Sequence, residues 1–469
     1  METVAVPVSI NDVIELTIDN YGYEGEGIGS YQGFPIHVFG GLKGEKVLVK
    51  IVEVNKKHAK AVLSEILTLS SERVQPQCPI YGECTGCQLQ HMDYQAQLTM
   101  KRQQVIDAVE RIANFTNVLV HPTIGMNGMK KPWYYRNMVQ YPVGGEAGKT
   151  PKIGFYQRDT GQIVTCQECL LQILSVNWIT QKIKELSEIY QVTPYDEQTG
   201  TGLLRHVMIR MALKSGEVLV ILITNGSEFE FGERFAEELI VSFPAIKGVV
   251  QNINPNKGRS IFGKDSRVLA GTDSISDEIG GFTYKISARS FFPINSGQAE
   301  VLSQKVLEYA ALEGNEIVVD AYCGVGTLSL PLAKKAQLVY GIEVCPETIQ
   351  DAAENAASNR VDNVKLLLGK ADEMIAKLLE HDLKFEIAVV DPPKPGCELA
   401  VLQKIAAAGV RKIIYVSSNP GTLARDLKRL DELGYQTMEI QPIDMYPQTY
   451  QVQCVVRLEK KKEEGYLIG

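Results

Sequence analysis

The stretch VVDAYCGVGTLSLPLA, residues 318–333, reads as a short buried strand, a glycine turn and the start of a helix. Gly324 and Gly326 fall directly after the strand, where the absence of side chains lets a ligand approach the backbone. A second strand, LVYGIEV, follows and carries Glu343 at its end, 17 residues beyond Gly326. An acid in that place can accept hydrogen bonds from both hydroxyls of a ribose. No third glycine completes G-x-G-x-x-G, because Ser329 stands there. A ligand without phosphates to cradle, S-adenosylmethionine, therefore suits the turn better than a dinucleotide. The plain alternative is an ordinary tight turn followed by a solvated glutamate.

Working outward, the strand–helix unit recurs in AQLVYGIEVCPETIQDAAENAASNR, EIAVVDPPKPG and KIIYVSSNPGTLARDLKRLDELG. Repeated units of this kind predict a mostly parallel sheet with helices on both faces, an α/β Rossmann-like domain over residues 281–469. Its third strand runs into Asp391-Pro392-Pro393-Lys394 and its fourth into Ser418-Asn419-Pro420. In an open α/β sheet such strand ends border the ligand crevice. Upstream, residues 133–280 alternate strands with two helical stretches near 175–191 and 228–243, an α+β pattern that defines a central domain at 71–280. A further helix is expected from about Tyr94 to Ile112. Residues 8–69 are short alternating strands broken by glycines, which suits a closed β-barrel of the OB type, at 1–70. Such barrels often bind nucleic acid, although a barrel used only for packing has the same pattern.

The chain of 469 residues is long enough for three domains. Its net charge is −8, so it is not a protein clothed in basic surface. The barrel itself has six Lys and Arg against nine Asp and Glu, with one basic cluster at Lys56, Lys57, His58 and Lys60. Any claim of nucleic-acid binding must rest on modules and motifs. No apolar run approaches the ~20 residues that span a bilayer, and the first residues lack a basic and then apolar leader pattern. A cytoplasmic monomer without membrane contact is expected. Of nine cysteines, Cys78, Cys84, Cys87, Cys166 and Cys169 lie in one third of the chain. Clustering in a cytosolic protein points to metal before disulfide, and C-x5-C-x2-C can present three thiolates to one metal or cluster.

The segments CPIYGECTGCQLQH, DAYCGVGTLSLPLA, VVDPPKPG, YVSSNPGTLARDL and DMYPQT together resemble the signatures of the RNA uracil-5-methyltransferases of the iron–sulfur type, those acting on ribosomal RNA. The resemblance runs essentially end to end. It implies an N-terminal TRAM barrel, an iron–sulfur cysteine loop in the central α+β domain, and a C-terminal S-adenosylmethionine-dependent methyltransferase domain. It implies a cofactor site at Tyr322, Gly324, Gly326, Thr327, Glu343 and Asp391, and a 4Fe–4S cluster on Cys78, Cys84, Cys87 and a fourth cysteine. Cys169 of CQECLLQ matches the family's late cysteine, with Cys166 as its competitor; zinc is not excluded by spacing. The implied partner is RNA, 23S ribosomal RNA by resemblance, with the target base single-stranded or flipped out.

In that family a cysteine thiolate adds to carbon 6 of uracil, carbon 5 takes the methyl group, and a glutamate removes the carbon 5 proton. Here Ser418 stands at the nucleophile position and Gln453 at the base position. Pro293 replaces a cofactor-touching glutamine, and Lys394 replaces an arginine. Serine needs an adjacent base to attack, and an amide cannot take a proton. Cys397 and Cys454 are the sequence's other thiols near these segments, although each also reads as a buried small hydrophobe. Three functions follow: a methyltransferase of the uracil-C5 type, a catalytically inactive relative that binds cofactor and RNA, or a methyltransferase acting on a base nitrogen through Asp391.

Overall fold

The structure is a computed structural model that describes residues 6–126, 132–146, 151–158, 160–258 and 260–462. Five strands, Val13–Tyr21, Gly27–Tyr31, Phe34–Phe39, Lys46–Val54 and Ala59–Thr68, close into a barrel. The third and fifth pair in parallel and the others antiparallel, the connectivity of an OB-type barrel. Alternation sets its interior: Ile14, Leu16 and Ile18 point inward from the first strand, Val47, Val49 and Ile51 from the fourth.

The central part carries a six-stranded sheet in the order Asp265–Gly271, Ile246–Ile253, Val218–Thr224, Leu204–Met211, Met138–Gly144, Lys152–Ile153. Val218–Thr224 is buried along its whole length, as a strand covered on both faces must be. Helices Leu174–Ile189 and Gly232–Ser242 cover one face. The other face, through Met208, Leu219, Ile221 and Ile223, shares a core with helix Ser296–Ala310 and the C-terminal sheet.

The C-terminal sheet has eight strands among the described residues. Ile317–Asp320 lies inside it, flanked on one side by Leu338–Glu343 and then Val364–Leu368. On its other side come Ile387–Val390, Lys412–Ser417, Gln453–Lys460, Tyr435–Ile443 and Leu119–Val120. The first five of these pair in parallel, the βα pattern expected, and Gln453–Lys460 runs antiparallel to its neighbours. Leu119–Val120 joins from far upstream, and Val105, Val109, Ala113 and Val120 are buried in the same core as Val390 and Tyr415. The helix expected near 94–112 is Tyr94–Ala108, capped by Asp93 and continued as a wider π-helical turn, Val109–Ala113. No helix among the described residues is long and apolar enough to cross a membrane.

Candidate active site

Strand Lys412–Ser417 pairs antiparallel with Gln453–Lys460 so that Ser417 faces Cys454. Ser418 follows the last paired residue, and Gln453 begins the partner strand, where it pairs with Ile443. Asn419 ends the strand by turning its side chain back to accept from the N–H groups of Gly421 and Thr422, at 2.9 and 3.2 Å. With Pro420 at the first turn, this cap starts helix Pro420–Glu432 and leaves Ser418 at the strand's mouth. Ser418 lines a hollow with Lys394, Asn419, Tyr450, Gln451 and, from the barrel, Tyr23. The rings of Tyr23 and Tyr450 lie 5.7 Å apart. Gln104, on helix Tyr94–Ala108, reaches the carbonyls of Gly22 and Tyr23 and ties the barrel to this wall. Among the described residues nothing hydrogen-bonds the Ser418 hydroxyl, which opens on the hollow. Gln453 is 7% exposed.

The loop leading to Gln453 is held by a buried ion pair. Lys101 Nζ donates to Asp444 Oδ1 at 2.5 Å, and both side chains are fully buried. Tyr94 donates to the other Asp444 oxygen at 2.9 Å, and Lys101 also donates to the Tyr446 carbonyl at 3.1 Å. The cysteine loop joins in, because the N–H groups of Gln88 and Leu89 both donate to the Gln448 carbonyl. Sequence reading missed Lys101. It lies in a polar run, MKRQQ, whose composition resembles a solvated helix face.

Along the sheet, the glycine turn has the geometry its residues predict. Gly324 and Gly326 have φ of 55° and 92°, in the left-handed region that favours glycine. A side chain on Gly324 would point into open space. Tyr322 and Thr327 are half-buried beside them. Glu343 ends its strand with Oε1 accepting from the N–H groups of Val344 and Cys345, both at 2.8 Å. This fixes the carboxylate and leaves Oε2 for a ligand. Asp320 is fully buried; Ser329 donates to its Oδ2 at 2.6 Å, while Oδ1 has no partner. Burial raises the Asp320 carboxyl to about 6. Asp391, at the next strand's end, is raised to about 7 by burial and then by the Asp320 charge, although part of it reaches solvent. Pro293 lies in the loop before helix Ser296–Ala310, where its carbonyl accepts from Asn137 at 2.8 Å. Asn295 and Gln298 of the same segment donate to the carbonyls of Met445 and Asp444, linking it to the Gln453 loop.

The other two thiols are held away from such chemistry. Cys397 is 2% exposed, lies 3.6 Å from the Tyr322 hydroxyl, and is raised to about 12 by burial. Cys454 is wholly buried in the core, and burial pushes its thiol up as well. Each is a packed core thiol.

Cys78, Cys84, Cys87, Cys166 and Cys169 all line one cavity, together with Arg136. Burial raises every one of these thiols, Cys84 to about 11 and Cys166 to about 12. At Cys87 hydrogen bonding to Gln90 opposes burial, while neighbouring Cys169, Cys84 and Cys78 add to it. Among the described residues no group of three or more His, Cys, Asp or Glu is drawn together as for a metal ion. A single zinc asks for donors within about 2.3 Å of one point. A cluster puts each thiolate on a different iron, so its ligands stand farther apart. The five thiols line one shared cavity, as ligands of either kind of group must, with the Gly86 N–H donating to the Cys84 sulfur at 3.3 Å.

The fold and crevice define a methyltransferase domain built onto a nucleic-acid-type barrel. Residues 264–461 match the family described as tRNA (Uracil-5-)-methyltransferase, and residues 7–63 match the TRAM domain. A protein of Bacillus cereus named as an uncharacterized RNA methyltransferase is 42% identical over 454 residues, 97% of this chain and 98% of its own length. One of Clostridium tetani with the same name is 43% identical over 461 residues, 97% and 99% of the two chains. The crystal structure of the Pyrococcus abyssi tRNA (uracil-54, C5)-methyltransferase in complex with S-adenosyl-L-homocysteine superposes with a TM-score of 0.75. It is 26% identical and covers 95% of this chain and 99% of that one. The chain belongs to the tRNA (uracil-5-)-methyltransferase family, a family of RNA methyltransferases.

Proposed function

We propose that this chain is a uracil-C5-type RNA methyltransferase scaffold that binds S-adenosylmethionine and 23S ribosomal RNA but lacks the carbon 5 addition chemistry. The observation that carries this reading is Ser418 in the hollow at the strand's end, with Gln453 one residue before Cys454, the partner of Ser417. A serine without a base forms no carbon 6 adduct, and an amide removes no carbon 5 proton. What remains is binding: Glu343 for ribose hydroxyls, the glycine turn with Tyr322 and Thr327 beside it, and a hollow roofed by the barrel for a flipped base. The ligand of the Pyrococcus relative supports the cofactor assignment. The same reading divides the work among a barrel at 1–70, a central domain at 71–280 and a methyltransferase domain at 281–469. Mass spectrometry of nucleosides from 23S ribosomal RNA, with and without the protein in the cell, tests it. The expected result is an unchanged 5-methyluridine content.

A second reading has its own observation. Asp391 stands at a strand end beside the crevice, raised to about 7 by burial and then by the Asp320 charge, a place that suits a proton acceptor for a base nitrogen. Transfer to nitrogen needs no covalent adduct. An N-methylated nucleoside that disappears with the protein would favour it.

Cofactor binding gives a quantitative check. Glu343→Ala removes charge-assisted hydrogen bonds, a loss of roughly 1.5–3 kcal/mol, or about tenfold or more in S-adenosylmethionine affinity by calorimetry. Absence of binding to the unaltered protein, with Pro293 as the block, would mark a decayed pocket.

Cys78, Cys84, Cys87 and Cys169 are the proposed holders of a 4Fe–4S cluster, which supplies a redox-capable crosslink between the cysteine loop and the segment around Cys169. Protein purified without oxygen should be brown and contain about four iron per chain. Alanine at any of these four should remove the iron, while Cys166→Ala retains it. Colourless protein with one zinc would reject the cluster.

A further inference from the structure

A second hollow lies in the central domain, between the two family matches, which cover residues 7–63 and 264–461. It measures about 440 Å³, within the roughly 300–1,000 Å³ typical of small-molecule sites. Its walls include Tyr156, Tyr195, Glu197, Arg205, His206 and Lys257. None of these lines the hollow at Ser418.

The wall is built, not incidental. Arg205 is 4% exposed; its Nη1 donates to the carbonyls of Asn254 and Asn256, and its guanidinium lies 4.3 Å over the Tyr195 ring. Asn254, fully buried, donates to the carbonyls of Ser260 and Ile261, which curls the loop that carries Lys257. Two buried polar atoms nevertheless have no partner: Arg205 Nε and His206 Nδ1. An unpaired buried polar group costs free energy unless a ligand or water satisfies it. Lys257 makes no ion pair among the described residues, and Tyr156 is 43% exposed. Two cations stand against the single carboxylate of Glu197. His206 stays neutral, lowered to about 4 by burial and then by Arg205, so it offers a ring nitrogen and not a charge.

Aromatic faces beside unneutralised cations are what an unpaired nucleotide needs: a stacking platform and a phosphate partner. We propose that this hollow takes one unpaired ribonucleotide of the bound RNA, its base on Tyr156 and its phosphate at Lys257 and Arg205. The placement links it to the active site. The Thr85 N–H donates to the Tyr156 carbonyl, and the same cysteine loop holds Gln448 through Gln88 and Leu89. The cysteine loop therefore connects the hollow's Tyr156 wall to the loop that enters Gln453. The inference rests on the RNA-binding reading above and deepens it.

The test uses the full chain and a labelled single-stranded oligouridylate of about 12 nucleotides, within the range of known single-strand sites. Affinity is read by fluorescence anisotropy across a salt series, with a 4-thiouridine version for photocrosslinking. Tyr156→Ala should weaken binding about tenfold, and Tyr156→Phe should restore it. Lys257→Glu should weaken it and flatten the salt dependence by about one unit of slope. Crosslinks should map to the peptides around Tyr156 and Tyr195. Unchanged affinity in both Tyr156→Ala and Lys257→Glu, with crosslinks only elsewhere, overturns this site and leaves RNA binding standing. Failure of the unaltered protein to bind the oligonucleotide overturns both.

Discussion

Ser418→Cys combined with Gln453→Glu is expected to switch on formation of 5-methyluridine in a 23S ribosomal RNA transcript. The two positions are the chain neighbours of the paired residues Ser417 and Cys454, and the proposed function gives them the family's nucleophile and base roles. Ser418→Cys alone should give a covalent adduct with RNA carrying 5-fluorouracil, because a thiol near pKa ~8.5 supplies some thiolate at neutral pH. Methyl transfer should then stall before proton removal, since Gln453 is no base. Adding the glutamate supplies that step, and positioned general bases contribute about 10²–10⁴-fold. The pair should therefore exceed the sum of the single changes. Pro293→Gln is a third change to add if cofactor placement limits the rate. Abundant 5-methyluridine from the unaltered protein would defeat this account. It would also demand a nucleophile that the burial of Cys397 and Cys454 does not provide.

Removing Lys101 should be the most damaging single change to stability. Lys101→Met keeps the stem but leaves the Asp444 carboxylate buried opposite an apolar group. Breaking a buried pair in this way typically costs about 3–5 kcal/mol. Denaturant unfolding of Lys101→Met should show that loss, and Lys101→Met with Asp444→Leu should recover part of it, because no orphaned charge remains. A change below about 0.5 kcal/mol, the size of an ordinary surface effect, would show that the pair contributes nothing to fold or loop. The loss has a local consequence too. The ion pair ties helix Tyr94–Ala108 to the loop entering Gln453, so cofactor-side and RNA-side walls should loosen together.

Much of the architecture was legible because it is written locally. Period-two alternation in Val13–Tyr21 and Lys46–Val54 marks a barrel with one wet and one dry face. Apolar runs such as Ile387–Val390 mark strands covered on both sides, and Gly324 and Gly326 mark a turn only glycine makes easily. Glu343 and the cysteine loop were likewise identified by spacing and type. Ser418 and Gln453 drew attention through resemblance, and no local pattern could say that the residues beside them, Ser417 and Cys454, pair across the sheet.

That neighbourhood belongs to the tertiary structure. Strand register is a contact between segments about thirty-five residues apart, and a shift of one residue would turn each side chain to the other face. The same holds for Tyr23, which lies between the first two barrel strands and which the fold brings beside Tyr450. Helix Tyr94–Ala108 buries Ala96, Met100 and Val105, and beside them it also buries the Lys101 ion pair and the Gln97 hydrogen bonds. Periodicity marks such a helix, and it is silent about which polar side chain on it will meet a distant partner. The five convergent cysteines, the unpartnered atoms of Arg205 and His206, and the joining of Leu119–Val120 to the C-terminal sheet share that origin. Each is a meeting of distant residues, decided by how the units pack and not by any one stretch of chain.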